Sequence, residues 1–180
     1  MLTRKKAGPM RLSSIAIQVP EVAALVAQAD YVDEKCANGA VSLREFIATM
    51  LSHQPAWITF LFRVRSILVR LIGLRHKGIP RSRKLKPETL PMQPGGRAAF
   101  FTVCAADEER YWIGEATDKH LNGAIAVVVE ERGEGQRCFH VLTIVHYNKF
   151  SGPLYFNLIR PFHHLVVGSM VQAGVKGDVV

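Results

Sequence analysis

Apolar and polar positions change period along this chain, and the changes mark out elements. In the last third, Ala124–Glu131 and Arg137–Tyr147 are two apolar runs around the Arg132-Gly133-Glu134-Gly135-Gln136 turn. Strands joined by so glycine-rich a turn form a hairpin. In its second strand Phe139, Val141, Thr143, Val145 and Tyr147 share one face, while Cys138, His140, Leu142, Ile144 and His146 share the other. The first set holds the two aromatics and is expected to face the core. Two further strands, Arg97–Ala105 and Arg110–Thr117, flank the polar turn Ala106-Asp107-Glu108-Glu109.

Upstream, Ser13–Val19 reads as a short strand before Pro20, and Glu21–Gln28 as a helical turn. Ala29–Ala37 reads as a strand with Tyr31, Asp33 and Lys35 on one face, ending at the turn signal Asn38-Gly39. Ser42-Leu43-Arg44-Glu45 is a capping box, in which hydroxyl and carboxylate each satisfy a free N–H of the first turn. Leu43, Phe46, Ile47, Met50 and Leu51 then fall on one helical face. Pro55 opens a second helix, Ala56–Ile72, whose polar stripe of Thr59, Arg63, Ser66 and Arg70 is so narrow that most of its circumference is expected to be buried. After Gly152-Pro153-Leu154-Tyr155-Phe156 a final apolar helix follows, starting at Pro161 or kinked there because proline lacks the N–H.

Strand, two helices, four or more strands and a long helix make an α+β chain with antiparallel strands. A sheet closing on one long helix is a container shape. Residues 1–14 are expected to form a flexible basic tail, and 15–176 one domain. Residues 74–96, with their prolines at 80, 87, 91 and 94, form a long connection, and 75–96 could act as a lid over an entrance.

Charge changes the picture less than its total suggests. The chain has 180 residues and a net charge of +8, from 23 basic and 15 acidic side chains. Ten of the basic residues sit at 1–14 and 75–86 without any acid, leaving 13 basic against 15 acidic in the body. Two solvated segments explain this, or a patch for an acidic protein or an anionic membrane surface through 75–86. No aromatics interleave either cluster, so no specific nucleic-acid partner is implied. Ala56–Leu74 carries Arg63, Arg65 and Arg70, which argues against a membrane span. No secretory signal is visible, since Arg11–Gln18 is too short and polar for an apolar core. Cys36, Cys104 and Cys138 are odd in number, lack CxxC spacing and read as buried thiols in a reducing cytoplasm.

The ordered pieces Ala29-Asp30-Tyr31-Val32-Asp33, Gln54-Pro55-Ala56-Trp57, Leu71-Ile72-Gly73-Leu74, Asp118-Lys119-His120-Leu121 and Leu154 through His163 resemble a bacterial family known as domain of unknown function 2867. The resemblance covers about residues 29–173. It implies the helix-grip fold of the START-like (Bet v 1-like) superfamily, a curved antiparallel sheet wrapped around a long C-terminal helix, with two helices after the first strand. It implies a pocket, with Tyr155 and His163 near it, and no defined reaction. The family also occurs behind a Rossmann domain, but no G-x-G-x-x-G follows a strand here, so no dinucleotide site is implied.

Candidate chemistry is sparse. Asp118 and His120 would share a face if strand geometry holds there, giving an acid–base pair; alternatively Asp118 stabilises the turn and His120 satisfies a backbone group. His140 and His146 lie ~20 Å apart along a strand, and His163 and His164 diverge by about 100° on a helix. With no HExxH or CxxC pattern, no metal and no cofactor are expected. The first expectation is a small hydrophobic or amphipathic ligand held between sheet and final helix. Trp57, Trp112, Tyr147, Tyr155 and Phe162 would supply apolar contacts, and Asp33, His120, Thr143 and His163 polar ones. The alternatives are a cofactor-independent acid–base enzyme using His120 with Asp118 or His163, and an interaction module docking through the basic segments. Oligomeric state is not legible.

Overall fold

The computed structural model describes residues 12–71, 84–117, 121–149 and 152–177. Its elements run α1 (Ser14–Ile17), α2 (Pro20–Gln28), β1 (Tyr31–Gly39), α3 (Leu43–Ser52), α4 (Ala56–Leu71), a 3-10 turn at Pro87–Thr89, β2 (Arg97–Ala98), β3 (Phe101–Asp107), β4 (Tyr111–Thr117), β5 (Leu121–Gly133), β6 (Gln136–Tyr147) and α5 (Gly152–Gly174). All neighbouring strands are antiparallel, in the order β1-β6-β5-β4-β3-β2. This is the helix-grip arrangement, with α3 and α4 inserted between β1 and the rest of the sheet.

Strand alternation splits the sheet into two faces, and both are covered. Phe139 and Val141 of β6, with Ile125 and Val127 of β5, pack with Phe46, Ile47 and Met50 of α3 and with Val167 and Val171 of α5. Phe46 and Phe139 stack at 4.1 Å, parallel to within 1°. Gly174 lets the end of α5 close on this pair, since a Cβ there would meet Phe46 at 2.7 Å. On the opposite face Ala126, Leu142 and Ile144 pack with Ala16 and Val19 of the first helical turns and Val22 of α2.

The capping box forms as expected: the Ser42 N–H donates to the Glu45 carboxylate at 2.8 Å, and the Ser42 hydroxyl accepts from the Glu45 N–H at 3.3 Å. The β5–β6 turn also forms, with Gly133, Glu134 and Gly135 all at positive φ.

Other expectations need correcting. Ser13–Val19 is not a strand: Ser13 caps the helical turn α1, accepting from the Ala16 N–H at 3.4 Å. Its alternating Ile15, Ile17 and Val19 imitate a strand, but the proline at 20 and the cap favour helix. Asn38 and Gly39 make no turn; they pair with Cys138 and Arg137 as the end of β1. The strand expected over Arg97–Ala105 breaks at Ala99, whose φ is +55°. α4 is not largely buried: Ile58 is 1% exposed, but Trp57, Phe60 and Ile67 are 42%, 62% and 59% exposed. Cys138 is buried, whereas Cys36 and Cys104 are exposed. α5 begins nine residues before Pro161 and runs through it. Among the described residues no helix is long and apolar enough to cross a membrane.

Candidate functional site

The site is built where the edge strand β1 meets the first half of α5. Tyr31, Asp33 and Lys35 alternate onto the face that α5 covers, and the register sets Thr143 of β6 directly beside Asp33. From α5, Phe156, Arg160, His163 and His164 recur at helical spacing and come down on these strands.

His164 is the centre of the polar contacts. Its Nε2 stands 3.0 Å from the Tyr31 hydroxyl and its Nδ1 3.1 Å from Asp33 Oδ2. Lys35 Nζ lies 3.2 Å from the same carboxylate oxygen. His163 turns the other way and meets the Thr143 hydroxyl at 3.2 Å. Asp33 is 7% exposed, and Oδ2 makes no contact in hydrogen-bonding geometry, so the Lys35 ammonium approaches it as a point charge.

An aromatic wall adjoins this group. The Phe156 ring is 4.7 Å from that of Tyr31 and 6.1 Å from that of Tyr147, and the Arg160 guanidinium lies 5.7 Å from the Tyr31 ring centroid. Burial, followed by the Asp33 charge, pushes the Tyr31 phenol up. Burial, followed by Asp30, does the same for Tyr147. Both hydroxyls therefore keep their protons near neutrality and can donate.

Of the residues singled out in the sequence, Asp33, Thr143, Tyr147 and His163 stand in or beside this cluster. Phe162 is half-buried on α5. Trp57 is half-exposed on α4, away from this group in the chain. Trp112 is fully buried in the main core, where its indole N–H donates to the Pro91 carbonyl at 3.2 Å and its ring packs against Gly114. Asp118, His120 and the side chain of Tyr155 lie outside the described residues, as does the 75–86 segment apart from Lys84, Leu85 and Lys86. Sequence reasoning passed over Tyr31, Lys35, Phe156 and His164. The first two carried a signal, since they share a strand face with Asp33.

A separate cleft of about 610 Å³ opens between the end of α3, the residues that follow it and the last turns of α5, lined by Thr49, Ser52, His53, Lys84, Ser169 and Lys176 among others. Two lysines, Lys84 and Lys176, and no acidic side chain line it. His53 Nε2 and the Ser169 hydroxyl are 2.9 Å apart there, and burial, then the charge of Lys176, holds the imidazole below its ordinary range.

The family described as protein of unknown function (DUF2867) matches residues 25–170. No curated protein matches the sequence. Among solved structures the chain is similar to Ara h 8.0201, with a TM-score of 0.38 and 9% identity over 81% of this chain and 98% of that one. It is also similar to norcoclaurine synthase from Thalictrum flavum in complex with dopamine and hydroxybenzaldehyde, with a TM-score of 0.40 and 14% identity over 96% of this chain and 95% of that one.

Proposed function

Since the chain belongs to the DUF2867 family, for which no function is described, we propose a role from the β1–α5 cluster itself: it binds a small amphipathic molecule. The observation that carries this reading is the Asp33 carboxylate, 7% exposed with Oδ2 lacking a hydrogen bond, beside an aromatic wall of Tyr31, Tyr147 and Phe156. A buried acceptor in that state favours a ligand hydroxyl or amine that completes it. The aromatic wall favours an apolar body behind that polar end. Thr143 and His163 supply a second polar contact, and the Arg160 guanidinium lies over the Tyr31 ring.

Native mass spectrometry of the purified chain, followed by organic extraction, tests this. The expected result is a stoichiometric small molecule in the wild type that is lost in Asp33→Asn. A bare wild-type protein that also shows no thermal shift with a panel of phenols, aromatic amines and fatty acids would remove the reading.

A second reading rests on one specific arrangement. The His164 Nε2 and Tyr31 hydroxyl are hydrogen-bonded at 3.0 Å, with the Asp33 carboxylate 3.1 Å from Nδ1 as a neighbouring charge. Such an imidazole–phenol pair can pass a proton to or from a bound molecule. Conversion of the extracted ligand by wild type but not by Tyr31→Phe would support an acid–base enzyme. Equal conversion by both would exclude this role for Tyr31.

A further inference from the structure

On the opposite face of the sheet, away from α5, the β5–β6 hairpin brings together three different metal-binding side chains. Glu130 pairs directly with Cys138 across the hairpin, and His140 follows two residues later on the same face. One ligand atom from each lies within 4.8 Å of the others. Cys138 and His140 are 3% and 6% exposed.

A neutral His140 cannot donate to both of its carboxylate neighbours. Nδ1 faces Glu34 Oε1 at 2.8 Å, and Nε2 faces Glu130 Oε2 at 3.2 Å. A neutral imidazole has one N–H. With that hydrogen given to Glu34, the Nε2 lone pair points at a carboxylate oxygen, and two acceptors oppose each other unless a second proton or a metal ion lies between them. Nitrogen and oxygen ligands of one tetrahedral zinc stand about 3.3 Å apart, from bond lengths of about 2.0–2.1 Å, close to the separation found here. A carboxylate on the far nitrogen is the usual support of a metal-ligating histidine. Glu34 is itself fixed, because its Oε2 accepts from the Ser13 N–H at 2.7 Å.

We infer that Glu130, Cys138 and His140 bind a divalent ion of the zinc class, with Glu34 as a positioning residue. The thiolate selects zinc-like metals over magnesium or calcium. Water fills the fourth position, or Cys36, which pairs with His140 across β1. Arg132 now donates to Glu130 Oε2 at 2.9 Å, but its side chain is 54% exposed and can turn to solvent as the ion enters. Binding releases the Cys138 thiol proton, so affinity falls with acid. The ion would tie β5 and β6 to β1 through Glu34, and to the cap of α1 through Ser13.

The full chain, stripped with a chelator, is titrated with zinc and with cobalt(II). One equivalent of cobalt is expected to give a thiolate-to-metal charge-transfer band in the near ultraviolet, absent in Cys138→Ser. Zinc affinity is expected to fall about 10–100-fold in Glu34→Gln. Because His140→Ala empties a buried position and risks unfolding, Glu130→Gln is the companion variant, and it should also weaken zinc. No charge-transfer band in the wild type, or the same band in Cys138→Ser, or zinc affinity unchanged in Glu130→Gln, would overturn the site.

Discussion

His53 shows how one side chain ties two elements and makes their union depend on pH. It ends α3 and meets Ser169 of α5 at 2.9 Å. Burial, then Lys176, holds its imidazole below its ordinary range in the folded chain. The unfolded chain keeps the ordinary value, about 6.5. Below that pH the unfolded state takes up a proton that the folded state refuses, so stability is full above about 6.5 and declines as pH falls toward the folded value. Denaturant unfolding from about pH 7.5 to about pH 5.5 should show the decline, and His53→Gln should flatten it. An identical slope in both proteins would mean that other groups set the dependence. At this same scale the sequence was informative where chemistry is local. Asp33, Thr143 and His163 stand in or beside the cluster because strand and helix periods fixed their faces. Tyr31, Lys35 and His164 join them through the docking of α5 on β1, which no local pattern records.

At the scale of elements, the capping box of α3 and the hairpin of β5 and β6 were legible because each is settled within a few residues. The fate of α4 was not. An almost wholly apolar helix reads as buried, yet α4 turns Ile58 inward, leaves Phe60 and Ile67 largely in solvent and leaves Trp57 half-exposed. Two substitutions separate these faces. Ile58→Ala should cost about 2–5 kcal/mol, through lost burial and the void left behind. Phe60→Ser should change stability by no more than about 0.5 kcal/mol. Chemical denaturation of both variants measures the contrast, and equal losses would show that the outer face of α4 is also packed.

For the whole molecule, the sheet is an inner layer with helices on each side, and the layer formed by α1 and α2 went unforeseen. The misreading of Ser13–Val19 as a strand hid it, since a strand would have joined the sheet and left Leu142 and Ile144 uncovered. Instead Ala16, Val19 and Val22 seal that face. A chain starting after Gln28 should therefore expose a broad apolar surface, bind a hydrophobic dye and self-associate. Sedimentation at rising concentration would show it, and a monomeric shortened chain with unchanged melting would contradict it.

β1 is a terminal strand of the sheet, and Asp33, Glu34 and Lys35 run consecutively along it. A terminal strand offers unpaired backbone groups on which another chain can template, and charges along it discourage that stacking. By that argument the charged side chains that shape the cluster beneath α5 also make this edge a poor template for a second chain. Replacing them together with alanine or valine would remove both properties at once and confuse a lost activity with a precipitated protein. Asp33→Asn, Lys35→Gln and Tyr31→Phe probe the cluster while keeping that edge comparatively unattractive.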